Sequence, residues 1–213
     1  MTCLACSEAT ATPAVTSTPA SSAVAPSATA TAGDKTYRAS DLPAIALSEA
    51  QMAGWQTATR PDLTGPFMAA TNTNPQENPA PATGLQAGYR QTIGDPGAPG
   101  VNTVRTILEL FDSPAVTRAA LAATVKGYEG AGYTQLVDPS ALGLGPETAA
   151  RSGSNVPVAP QFAQGNVKQG IVVLWRSGNL LLIQVDGGDS GVTLDTAARW
   201  IGPVNASARA RGS

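Results

Sequence analysis

The stretch Ile171-Val172-Val173-Leu174-Trp175-Arg176-Ser177-Gly178-Asn179-Leu180-Leu181-Leu182-Ile183-Gln184-Val185 decides the fold. Two apolar, β-rich runs flank the small cluster Ser177-Gly178-Asn179, which is a hairpin signal. Successive side chains of a strand point to opposite faces. Leu174 and Trp175 are adjacent and both apolar, as are Leu181 and Leu182. Both faces of the hairpin therefore carry apolar groups, and both need cover.

Upstream, Leu85–Ile93 alternates loosely with period two. Val101–Phe111 alternates well, setting Val104, Thr106, Leu108 and Leu110 against Arg105, Ile107, Glu109 and Phe111. The Gly94–Gly100 cluster between them is turn chemistry, so a second antiparallel pair is expected. Asp112-Ser113-Pro114 then starts a helix, with Ser113 as cap and Pro114 where a missing N–H costs nothing. Leu121, Val125 and Tyr128 form its apolar stripe, alanines allow close approach to a sheet, and Gly127, Gly130 and Gly132 end it near Tyr128. Tyr133–Val137 reads as a short extension, Glu147–Ser152 as a short strand, and Ser154–Gln164 as loop.

Downstream, Asp186–Gly191 closes the hairpin. Thr193 caps a last helix that ends near Ile201 and turns Leu194, Ala197, Ala198 and Ile201 inward. On the N-terminal side, Ser48–Ala53 reads as a short helix or turn. Asp62–Ala82 reads as a long surface loop, and its Thr71–Pro81 part is a candidate cover for the second face of the hairpin. The order of elements implies an α+β fold, an antiparallel sheet of about 4–6 strands with two helices packed on one face. That order is loosely similar to small exported PsbP/Mog1-like α+β domains. The single domain is expected over residues 35–204, with a flexible, basic tail over 205–213.

Ahead of the domain, Thr10 to Thr31 contains only Ala, Thr, Ser, Pro and Val. Such a segment cannot bury enough apolar area to offset the entropy of ordering it, so residues 7–34 read as a disordered stalk. The first six residues, Met1-Thr2-Cys3-Leu4-Ala5-Cys6, resemble the end of a bacterial lipoprotein signal peptide. In that family a cysteine after a small residue becomes the lipidated first residue; here Ala5 is the small residue and Cys6 the acceptor. Cys3 departs from the usual aliphatic residue three positions earlier. The basic start and apolar run of a signal peptide are also missing, as expected if the true start lies upstream of Met1. The resemblance implies a lipid anchor on the extracytoplasmic face of the cell membrane. Cys3-x-x-Cys6 also matches a redox or half-zinc pattern. A redox pair sits at the start of a helix after a strand, which is lacking here, and a zinc site needs two more ligands where the chain has no other Cys and no His.

Composition narrows the function. Charged residues make up 13% of the chain and the net charge is -2, which argues against nucleic acid as a partner. The absence of His removes the commonest general base and metal ligand. Asp186, Asp189 and Ser190 cluster among glycines, yet their spacing does not match a calcium loop, so no metal or cofactor is expected. Trp175 and Arg176, with Trp200 and Tyr128, are the residue types of a pocket for a carboxylate or sugar; burial of Trp175 as core is the competing reading. Trp175, Arg176, Asp186 and Asp189 are thus the candidate ligand- or partner-binding residues, and no catalytic residue is assigned. The expected function is a non-catalytic binding domain of an exported lipoprotein, whose partner is an envelope protein or a small molecule. Two alternatives stand beside it. One is a secreted hydrolase using carboxylates among Glu109, Asp112, Glu129 and Glu147. The other is a soluble intracellular interaction domain.

Overall fold

The hairpin forms where the sequence places it and lies inside an antiparallel sheet that has eight strands among the described residues. The computed structural model describes residues 35–52, 54–60, 63–68, 84–95, 98, 100–158 and 167–213. In chain order the elements are α1 (Leu42–Ile45), α2 (Glu49–Met52), β1 (Gln56–Thr57), β2 (Gly65–Phe67), β3 (Leu85–Gly94), β4 (Val101–Phe111), α3 (Pro114–Gly130), β5 (Gln135–Val137), β6 (Thr148–Val156), β7 (Val167–Ser177), β8 (Leu180–Gly188) and α4 (Leu194–Arg211). The sheet runs β1-β3-β4-β8-β7-β6-β5, and β2 also pairs with β3. The stalk with Cys3 and Cys6, the Thr71–Pro81 loop and residues 159–164 lie outside the described residues.

The sheet exceeds the expected four to six strands because β1 and β2 have two and three residues, too few to show a period. Part of the Asp62–Ala82 stretch, expected as loop, is therefore strand. So are Ser154–Val156, which extend β6.

The expectation of two helices on one face is corrected. Leu180 and Leu182 of β8 pack with Ala197, Trp200, Ile201, Val204 and Ala208 of α4. Leu181, Ile183 and Val185 pack with Val125 and Tyr128 of α3. Alternate residues of one strand thus belong to two cores, and each helix covers its own face. The doubly apolar hairpin forces this outcome. Leaving either face open would expose a row of Leu, Ile and Val side chains, each worth about 1.5–3 kcal/mol when buried. On the second face α3 covers Leu181, Ile183 and Val185 among the described residues.

The helix α4 also runs ten residues past its expected end at Ile201, so Val204–Arg211 is helical, not a fraying tail. Pro203 lies inside it and removes one backbone hydrogen bond. Beyond Pro203 the apolar stripe continues through Val204 and Ala208, both fully buried, and this burial carries the helix onward. Thr193 and Thr196 cap its start reciprocally, and Arg209 and Arg211 complement its C-terminal dipole.

At the start of α3 the Ser113 side chain accepts the Val116 amide at 3.3 Å, as the sequence predicts. Ser113→Ala is expected to cost about 1 kcal/mol in urea unfolding, the usual value of an N-cap. An unchanged midpoint would show that the cap contributes nothing.

The hairpin turn is where distant parts of the chain meet. Gly178 takes φ +57° in the two-residue turn, and a Cβ there would lie 1.6 Å from the Lys35 carbonyl oxygen. Asn179, beside it, accepts the Tyr37 amide through Oδ1 at 2.8 Å. Its Nδ2 donates to the Tyr37 and Phe111 carbonyls at 3.3 and 3.2 Å. Tyr37 in turn reaches Ser177 and the Ala208 carbonyl with its hydroxyl, joining the first described segment to both the hairpin and α4.

Candidate functional site

The four candidate residues do not converge. Trp175 is fully buried in the α4-side core. Arg176, a candidate binding residue, has a side chain only 7% exposed; it pairs with Glu147 and donates to the Gly178 carbonyl. Asp186, expected at a strand end, is inside β8 with no exposure, opposite Val104 and Ile171. Trp175 lies four residues from Ile171, so it is about 13 Å along the strand from the Asp186 level. Asp189 alone is open to solvent, where it faces Lys168 at 3.6 Å.

Asp186 ends a buried polar chain. The Thr106 hydroxyl donates to Gln184 Oε1 at 2.8 Å, and Gln184 Nε2 donates to Asp186 Oδ1 at 2.8 Å. Its Oδ2 meets no hydrogen-bond partner among the described residues. Burial pushes this carboxyl up to about 7, and the Gln184 hydrogen bond only partly opposes it.

The carboxylates considered for hydrolysis are tied into the scaffold. Glu129 pairs with Arg151 at 2.9 Å, Asp112 accepts Gln86 at 2.7 Å, and Glu147 joins Arg118 to Arg176. Partial burial works to raise Glu147, but hydrogen bonds and charge from Arg118 and Arg176 outweigh it and hold the carboxyl below its ordinary value. Glu109 is buried in β4, on the same face as Arg105 and Arg90. The Arg90 guanidinium lies 4.2 Å over the Phe67 ring, and Phe67 occupies the space that a side chain at position 88 would need. The sequence held a signal for these buried charges. Arg105 and Glu109 alternate in phase with Ile107 and Phe111, which marks them as facing a core.

A cleft that the sequence reading missed opens at the start of α4. It has a volume of about 640 Å³ and is lined by Trp55, Val101, Gly191, Asp195, Arg199 and Trp200, among others. Trp55 follows α2, Val101 opens β4, and Gly191 lies between β8 and α4, so distant segments meet here. The Trp55 and Trp200 rings are 4.9 Å apart and tilted by 57°, and the Arg199 guanidinium lies 4.5 Å over the Trp200 ring. Trp200 is 2% exposed and forms the floor, while Trp55 is half-buried and Asp195 and Arg199 are exposed. No sequence period links Trp55 to α4, which is why the pairing was invisible.

Among the described residues there is no cluster of three or more metal-ligating side chains. No described helix is long and apolar enough to cross a membrane. No family model matches the chain, and no curated protein matches it. Among solved structures it is similar to the crystal structure of the extracellular domain of PknH from Mycobacterium tuberculosis. The two are 14% identical with a TM-score of 0.53, over 82% of this chain and 100% of that one. At that identity the likeness is one of fold: a mixed helix-and-sheet domain built on a large antiparallel sheet.

Proposed function

We propose that this chain is an exported, non-catalytic binding domain held at the outer face of the cell membrane by a lipid on Cys6. The observation that carries the reading is the fold, which it shares with a domain that is extracellular in its own protein. The Leu4-Ala5-Cys6 sequence and the charge-poor stalk behind it supply the anchor and its spacer. The structure adds a domain in which Glu129 and Glu147 are engaged in ion pairs and whose open cleft combines aromatic and charged side chains. A lone acyl chain anchors only marginally, so stable attachment requires the multiple acyl chains that lipoprotein maturation installs.

The test is metabolic labelling with an alkyne fatty acid in a bacterial host, with a signal peptide supplied ahead of residue 1. The full chain is expected to carry label and to sediment with membranes. Cys6→Ser is expected to lose the label to background and to release the chain from the membrane fraction. Equal labelling and sedimentation of the two forms would remove the anchor.

A further inference from the structure

We propose that the cleft at the start of α4 binds a neutral saccharide; this rests on the reading of the domain as a binding module and names its ligand class. The volume, about 640 Å³, lies within the usual range for small-molecule sites. Its chemistry is selective. Trp200 is already covered, by Trp55 at 4.9 Å and by the Arg199 guanidinium at 4.5 Å, so it serves as a rigid floor. Half-buried Trp55 keeps part of its ring open to the cleft. The negative face of an indole ring suits the polarised C–H groups on one side of a sugar ring.

The polar groups beside it fit the same ligand. Asp195 and Arg199 stand one helical turn apart, with their Cβ atoms about 5–6 Å from one another, a span comparable to that of a sugar ring. This order of acid and base along a helix favours pairing, yet the two make no ion pair. The guanidinium stacks on Trp200 instead, and the Asp195 carboxylate takes no hydrogen bond among the described residues. The cleft therefore presents an acceptor-only group and a planar, donor-only group side by side. Hydroxyls can satisfy both, because each one donates and accepts. The two charges cancel, so neither an anion nor a cation is favoured over a neutral polyol. Gly191, at φ +66°, has open space where a Cβ would stand, which leaves that wall clear.

The test is a titration of the full chain with maltose, trehalose, cellobiose and N,N′-diacetylchitobiose, followed by the NMR signals of the three indole N–H groups. At least one disaccharide is expected to shift the Trp55 and Trp200 signals saturably in the millimolar range and to leave that of buried Trp175 unmoved. Asp195→Ala and Arg199→Ala are each expected to weaken this binding by about tenfold, as loss of a charge-assisted hydrogen bond does. Both are exposed helix positions, so thermal unfolding of the variants checks that the fold is intact. Absence of a saturable shift with all four sugars overturns the proposal. So does binding unchanged by both substitutions, or a shift at Trp55 that sodium phosphate or indole produces and the sugars do not. A chain that takes label at Cys6 but fails this titration loses the saccharide and keeps the anchor. A chain that binds sugar but takes no label loses only the anchor.

Discussion

Asn179→Ala is expected to lower the unfolding free energy by roughly 2–4 kcal/mol, a large share of the stability of an ordinary domain. The side chain is one short amide, but it serves three partners from two other segments. The Tyr37 amide loses its acceptor at 2.8 Å, and the Tyr37 and Phe111 carbonyls lose their donor at 3.3 and 3.2 Å. These groups are buried, so water does not replace the amide freely, and the cost is that of stranded polar atoms. The substitution leaves the backbone bonds of the turn, in which Phe111 N donates to the Asn179 carbonyl at 2.9 Å. The hairpin should therefore persist while its tie to Lys35–Tyr37 loosens. Tyr37→Phe removes the hydroxyl contacts to Ser177 and Ala208 in the same junction. The two substitutions should then be non-additive in a double-mutant cycle, since they act on one segment. Urea unfolding measures both, and a loss below about 0.5 kcal/mol for Asn179→Ala would show that the junction is not a structural tie.

What was legible in the sequence follows from periodicity and turn chemistry. The hairpin, β3, β4 and the capped start of α3 all announce themselves through alternation, a two-residue turn, or Ser-Pro at a boundary. Leu174-Trp175 and Leu181-Leu182 even showed that both faces of the hairpin are apolar. The error lay in assigning both helices to one face, when the physical argument already required two covers. The end of α4 is hard to read because Pro203, which removes a backbone hydrogen bond, stands inside the helix. Val204 and Ala208 extend the apolar stripe beyond it, and their burial carries the helix on. The candidate site was less legible still. Asp186 precedes Gly187-Gly188, a pair that in sequence marks a strand end, yet those glycines are strand residues. Gly188 admits the Gly100 backbone, since a Cβ there would lie 1.9 Å from the Gly100 carbonyl oxygen. The Trp55–Trp200 cleft joins residues 145 positions apart, which no local pattern encodes.

Asp186 supplies the second large effect, and its sign follows from burial. The carboxyl stands at about 7 in the folded chain, against 3.8 for an ordinary Asp, because desolvation in the sheet disfavours its charged form. Between those values the folded chain keeps a proton that the unfolded chain has released. Stability must then fall as pH rises from about 4 to about 7 and level off above, with a total loss of roughly 2–4 kcal/mol. Below about 4 both states are protonated, so Asp186 adds no further pH dependence and its stabilisation is fully present, while Glu147, held low by Arg118 and Arg176, begins to act in the opposite direction. The proton belongs on Oδ2, since Oδ1 already accepts Gln184. Asp186→Asn preserves that hydrogen bond and cannot ionise. Relative to the native chain, it is expected to gain roughly 2–4 kcal/mol at pH 8 and only about 1 kcal/mol at pH 4.5, so the two stability curves converge toward acid. Denaturant unfolding across that range decides the matter: parallel curves would mean that Asp186 is not the group that titrates.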